Sequence, residues 1–259
     1  MRLTVLGGSA AGPNVGAGCS GYLVSEHGTN LVLDLGPGTL PELRRHANFR
    51  ELDAVVISHL HVDHLLDVLA LRFALAYNPV RPERRVPLWL PPAGDRLFRQ
   101  LALAFGPDDP DDYFRSVFDL AEYDPTAPLV IGALTLTFTP TVHYVPCWAI
   151  RASGNGRGDL FYTADTGPAA ALQVPAAAAA TIVSEATLRE QDIDPDRDPL
   201  SRGHLTAAEA GTLAAEAGAD RLVLSHLWQE NGSGIAVRAA RSRFAGDVLL
   251  AHPGLVVEW

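Results

Sequence analysis

Short apolar runs separated by glycine-rich turns open the chain. Residues 2–7, 20–25 and 29–35 are rich in aliphatic and β-branched side chains, which predicts three strands. Residues 39–48 carry a helical pattern, and the apolar run 53–57 reads as a buried strand. Residues 64–77 are apolar almost all round, which predicts a buried helix, and Pro79 ends it because a proline ring cannot continue the turn. Beyond it, 86–90 predicts a short strand and 94–105 an amphipathic helix, and the acidic, proline-punctuated stretch 106–112 predicts a loop. From 129 to 164 the pattern is β again, and 134–139 alternates apolar and polar positions as a half-exposed strand does. The alanine run 176–180 predicts a short helix, Thr206 an N-cap for a helix over 207–217, and 222–226 a last strand ending in histidine.

The irregular segment at about 79–128 has too few core positions to fold alone. It reads as a lid or dimer-contact insertion within a single domain spanning 1–259. No internal repeat or low-complexity linker divides the chain.

Composition narrows the setting. With 259 residues, 47% hydrophobic and 19% charged, the chain is an ordinary globular sequence that can bury a sizeable core. No apolar run is long enough to span a bilayer, and the N-terminus runs straight into strand-like sequence, so neither a membrane partner nor export is expected. Cys19 and Cys147 are too few for a disulfide framework, which fits a reducing cytoplasm. The net charge is −10, and every basic residue is arginine. A protein that grips long nucleic acid presents a basic face, and only the cluster Arg81, Arg84, Arg85 offers one. That cluster reads equally well as a solvated loop, so no long nucleic acid is expected as a partner.

Candidate chemistry concentrates in Ser58-His59-Leu60-His61-Val62-Asp63-His64, a turn between the strand 53–57 and the helix that follows. Neutral imidazole and carboxylate are good ligands for borderline divalent metals. Four such groups in one turn exceed one metal's usual share from a single loop, so the loop reads as dividing its ligands between two metals.

The pattern His-x-His-x-Asp-His after a strand resembles the signature of the metallo-β-lactamase fold superfamily. Further motifs follow in order. His143, ahead of Cys147-Trp-Ala-Ile-Arg151, matches the family's third metal-binding histidine. Thr163-Ala164-Asp165-Thr166 resembles its Ser-Gly-Asp-Thr motif, and Leu222-Val-Leu-Ser-His226 ends where the family places its final ligand. Ser184-Glu185-Ala-Thr187 resembles a His-Glu-Ala-Thr motif of the ribonuclease Z branch, with serine in the histidine's place. Gly203-His204-Leu205-Thr206 resembles that branch's Gly-His-Ser-Thr motif, with leucine for serine. The loop 7–13 resembles the glycine-rich rim of the family's active site, and Asp34 matches an aspartate that supports the metal loop from behind.

What the resemblance implies is a four-layer αβ/βα sandwich with its site where strand-end loops meet. It also implies two divalent metal ions, zinc being expected, although Mn2+ or Fe2+ suits the same donors. By that resemblance His59, His61 and His143 hold one ion, Asp63, His64 and His226 the other, and Asp165 bridges them. Asp63 also counts with the catalytic groups, and His204, oriented by Glu185, is the candidate acid for the leaving group. The branch further implies a metal-dependent phosphodiesterase acting on small anionic phosphodiesters such as cyclic nucleotides, possible as a homodimer. Two alternatives stand beside it: a ribonuclease Z-type tRNA 3′-endonuclease, and a lactone or thioester hydrolase of the same fold. The acidic balance and the lack of a basic arm argue against the first, and the Glu185 and His204 motifs against the second.

Overall fold

The early apolar runs form antiparallel strands β1 (Arg2–Gly7), β2 (Gly21–Glu26) and β3 (Thr29–Leu35). Helix α1 (Leu40–His46) leads to β4 (Ala54–Val56), which lies parallel to β3. Helices α2 (Val62–Leu65) and α3 (Asp67–Tyr77) follow, then β5 (Val86–Leu90), α4 (Gly94–Ala104), α5 (Asp112–Arg115) and β6 (Phe118–Glu122). The second half contributes β7 (Leu129–Ile131), β8 (Leu134–Pro140), β9 (Trp148–Ser153), β10 (Leu160–Tyr162), α6 (Gln173–Ala176) and β11 (Thr181–Glu185). It closes with α7 (Ala207–Ala217), β12 (Arg221–Ser225), α8 (Ser233–Arg241), β13 (Asp247–Leu250) and β14 (Val256–Glu258). This is a computed structural model, and it describes residues 1–259 except 107, 155–157, 195, 197, 199 and 200.

Two seven-stranded sheets result, in the orders β14-β1-β2-β3-β4-β5-β6 and β13-β12-β11-β10-β9-β8-β7. The inner strands β4, β10 and β11 are buried throughout because both faces are covered, whereas β8 alternates buried and open positions as its sequence predicts. Leu31, Leu33 and Val56 point inward and meet Ile150, Val183 and Val223 of the other sheet. The alternate residues Val32 and Val55 point outward to α1, α3 and α4. On the second sheet Ile182, Leu222 and Leu224 point outward to α7 and α8. This is the expected four-layer sandwich of the metallo-β-lactamase fold. The capping box at Thr206 is formed, with Glu209 N donating to Thr206 Oγ1 and Thr206 N to Glu209 Oε2. Among the described residues, no helix is long and apolar enough to cross a membrane.

Two expectations need correction, and the segment at about 79–128 is built into the sandwich. Its strands β5 and β6 extend the first sheet in parallel, and Leu88, Phe98, Phe114 and Leu120 fill that sheet's outer core. Pro107, in the predicted loop, lies outside the described residues. The helix over 64–77 breaks between Leu65 and Asp67, and only one face is buried. Val68, Leu71 and Leu75 point inward, whereas Leu66, Phe73 and Tyr77 are 38%, 45% and 65% exposed. The alanine run is not helical beyond Ala176. Ala178 turns left-handed, with φ at 56°, and its N–H donates to Ala217 O while the chain bends into β11.

Candidate metal centre

The site lies at the carboxyl ends of the parallel strands β3, β4, β10, β11 and β12, where chain after chain leaves the two sheets. Three non-glycine residues make these exits with left-handed backbone: Asp34 (φ 55°), Ala164 (φ 49°) and His226 (φ 54°). Such a conformation costs about 1–2 kcal/mol per residue. Fully buried neighbours such as Val55, Val56 and Ile57 each favour the fold by roughly 1.5–3 kcal/mol, enough to offset it. Two close approaches need glycine: a Cβ on Gly36 would stand 1.9 Å from Asp63 O, and one on Gly167 would stand 1.8 Å from Arg202 O. The first lets the 58–64 loop sit against β3. The second brings Gly203 and His204 to the site.

The residues singled out in the sequence converge here. His59, His61, His143 and Asp165 form one group of mutually close donor atoms, and Asp63, His64, Asp165 and His226 form a second. Asp165 belongs to both. His61 Nδ1 is 3.2 Å from His59 Nε2 and 3.0 Å from His143 Nε2. Asp63 Oδ2 is 3.0 Å from His226 Nε2 and 3.5 Å from His64 Nε2. His64 Nε2 and Asp165 Oδ1 face each other at 3.3 Å, and although buried neither makes a hydrogen bond.

Four outer hydrogen bonds aim the imidazoles. Asp34 accepts His64 Nδ1–H at 2.7 Å. Ser58 Oγ donates to Asp34 Oδ2 at 2.7 Å, so it must accept from His59 Nδ1–H at 3.0 Å. His143 Nδ1 donates to Gly203 O at 2.8 Å. Thr187 Oγ1 donates to Glu185 Oε2 at 2.6 Å and accepts His226 Nδ1–H at 2.7 Å. His59, His64, His143 and His226 therefore turn Nε2 inward as metal donors, which is how ligating histidines are oriented, whereas His61 presents Nδ1. Tyr162 adds a bond to Asp34 Oδ2 at 2.7 Å. An unpaired inward nitrogen on His64, an orphaned carboxylate oxygen on Asp165 and a mixed imidazole–carboxylate set fit divalent cations, which would give these buried atoms their partners.

Electrostatics divides the histidines. Burial pushes His59 well below its ordinary pKa and lowers His61 and His143, so these rings are neutral near pH 7. Burial would also lower His64, but the charges of Asp165 and Asp34 outweigh it and raise His64 well above its ordinary value. Burial opposes ionisation of Asp63 and Asp165, yet the His64 and His226 rings hold both well below the usual carboxylate range.

Glu185 and His204 meet beside this cage and form, with His226, a third group of mutually close donor atoms. His204 Nδ1 lies 3.0 Å from Glu185 Oε1, and Thr166 N donates to the same oxygen at 2.6 Å. The His204 ring centroid is 5.0 Å from that of His143 and 5.7 Å from that of His226, stacked on the latter. Burial lowers the His204 pKa, but the hydrogen bond and charge of Glu185 raise it overall. Ser184, at the branch motif's histidine position, is fully buried and its hydroxyl donates to Glu185 O, so this departure leaves the Glu185 carboxylate in place. The glycine-rich loop packs against the segment after His226, where Asn14 Nδ2 donates to Leu227 O at 2.8 Å. Sequence reasoning gave no role to Ser58, Thr187, Tyr162 or Gly203 O. Thr187 had a signal, since it closes the Glu185 motif.

Two packed mixed sheets carrying a His/Asp cage at their strand ends define a metallo-hydrolase of the β-lactamase fold. The chain belongs to the β-lactamase superfamily, whose family model, described as a Beta-lactamase superfamily domain, matches residues 29–227. It is similar to the probable metallo-hydrolase YhfI of Bacillus subtilis (strain 168), with 31% identity over 260 residues spanning 100% of both chains. The crystal structure of YhfI superposes with a TM-score of 0.82 at 30% identity, covering 99% of each chain. Ribonuclease Z of Myxococcus xanthus (strain DK1622) is 28% identical over 308 residues, covering 100% of this chain and 97% of its own.

Proposed function

We propose that this metallo-hydrolase is a phosphodiesterase for small phosphodiesters such as cyclic nucleotides, working with two divalent cations, zinc foremost. The observation that carries the reading is the His204–Glu185 pair, 3.0 Å apart, standing against the cage and outside the two donor groups that share Asp165. Cleaving a phosphodiester expels an alkoxide, which needs a proton. With Glu185 holding Nδ1, His204 keeps Nε2 for that delivery, and its raised pKa keeps it charged nearer neutral pH. Glu185 cannot drift, because Thr166 N and Thr187 Oγ1 anchor its two oxygens.

His59, His61, His143 and Asp165 would hold one cation, and Asp63, His64, His226 and Asp165 the other. Bound there, such ions polarise a phosphoryl oxygen and make water nucleophilic at neutral pH. The protein's share is to hold the donors neutral or ionised as needed and to place His204 on the leaving-group side.

Charge supports a small substrate. The net charge is −10, and Arg84 pairs with Asp53 at 3.5 Å ahead of β4, at the opposite end of that strand from His59. The arginine cluster is therefore no approach to the site for a long polyanion. The similarity to ribonuclease Z of Myxococcus xanthus favours the second reading, a tRNA 3′-endonuclease. Metal-loaded protein assayed in parallel on bis-p-nitrophenyl phosphate, cyclic AMP and precursor tRNA separates the two. Cleavage of the small diesters with tRNA left intact at physiological salt is expected. Efficient tRNA cutting with no turnover of cyclic nucleotides would overturn the ranking.

A further inference from the structure

One aromatic residue beside the acid has no part in the chemistry above. Tyr144 follows His143 on the loop after β8 and is 66% exposed. Its ring centroid lies 5.1 Å from that of His143 and 5.7 Å from that of His204. The ring is seated on Gly203, where a Cβ would stand 2.8 Å from Cε2, so glycine is what lets the phenol settle there. Gly203 is itself fixed, since its carbonyl accepts from His143 Nδ1 at 2.8 Å. A large aromatic thus rests against Gly203 and two histidine rings, largely open to solvent, at the lip of the cage.

Its side of the cage matters. His204 gives its proton to the departing oxygen, so the leaving group stands on the His204 side. Tyr144 lies on that side, next to His204 and His143, and makes no ring contact with His64 or His226. We propose that Tyr144 is a stacking platform for an aromatic base carried by the leaving group. The substrate class is then a nucleotide diester, with its base on Tyr144 and its leaving sugar oxygen at His204. This rests on the phosphodiesterase reading. Every nucleobase has a π face, so the platform selects for a base without selecting which one. A purely structural role, covering the His143–Gly203 hydrogen bond, would make no distinction between substrates with and without a base.

The test uses the full, metal-loaded chain as wild type, Tyr144→Ala and Tyr144→Phe, with metal content and thermal midpoint checked for each. Two ratios are read. One is kcat/KM for cyclic AMP over that for the 3′,5′-cyclic phosphate of methyl riboside, the same diester without its base. The other is the affinity for AMP over that for ribose 5-phosphate, measured by calorimetry without turnover. Both ratios should fall by about 10–100-fold in Tyr144→Ala, the worth of one stacked base, and be kept in Tyr144→Phe. Ratios unmoved in Tyr144→Ala, or Phe failing like Ala, would overturn the platform. The two readings fail separately. A wild type that binds AMP through Tyr144 but cleaves no diester sinks the phosphodiesterase alone. One that cleaves both diesters with Tyr144 indifferent sinks the platform alone.

Discussion

Thr187 accepts the Nδ1–H of His226 at 2.7 Å and passes its own hydroxyl proton to Glu185 Oε2 at 2.6 Å. One hydroxyl therefore ties a cage histidine to the carboxylate that orients the candidate acid. Its direction is forced, because a carboxylate can only accept. His226 must then carry its proton on Nδ1 and leave Nε2 free for a cation.

Thr187→Val keeps the shape of the side chain and removes both bonds. Metal affinity should fall by about 10–100-fold, the usual cost of losing a hydrogen-bond partner behind a ligating histidine. Thr187→Ser should keep most of it. Competition against a chelating dye measures this directly, and equal affinities for valine and wild type would deny Thr187 its orienting role.

Metal binding should release a proton and strengthen as pH rises. Without a cation His64 is raised well above its ordinary pKa, so near pH 7 it holds a proton that must leave before Nε2 can ligate. His59, His61 and His143 are lowered and have none to give. Affinity should climb with pH until the raised His64 value is passed, then level off. The same proton stabilises the metal-free fold. That contribution is full below about 6.5 and is lost as pH rises through the raised value. Zinc titrations in two buffers of different protonation enthalpy should show at least one proton released per chain. Heats independent of the buffer would contradict this.

His204→Ala should leave the metal content unchanged, since His204 is outside both ligand groups. It should slow cyclic AMP cleavage by ~10²–10⁴-fold, the range of general acid catalysis. Bis-p-nitrophenyl phosphate, whose phenolate departs without a proton, should be nearly unaffected. Glu185→Gln should show the same selectivity more weakly. Equal losses on both substrates would place His204 in phosphate binding instead.

The legible parts of the molecule were those written locally. The turn 58–64 displays four donor groups in consecutive chemistry, and β3, β4 and β12 read as unbroken apolar runs because both their faces are covered. What was illegible depends on distant partners. β5 pairs with β4 on one side and with β6 on the other across long intervening helices, so the few apolar positions of this segment looked too sparse for a core. The outer face of α3 stays exposed although its sequence is apolar, because no layer covers it at Phe73 and Tyr77. The aim of each imidazole rests on Ser58, Gly203 O and Thr187, and hydrogen bonds such as His143 to Gly203 join residues that only the tertiary fold brings together.

As proposed, the cage divides between two cations that share Asp165. Elemental analysis of the protein after saturation with zinc and removal of loosely held metal is the decisive measurement. Wild type should hold about two equivalents per chain and His226→Ala about one. At most one equivalent in wild type, unchanged by His226→Ala, would leave no second cation in the cage.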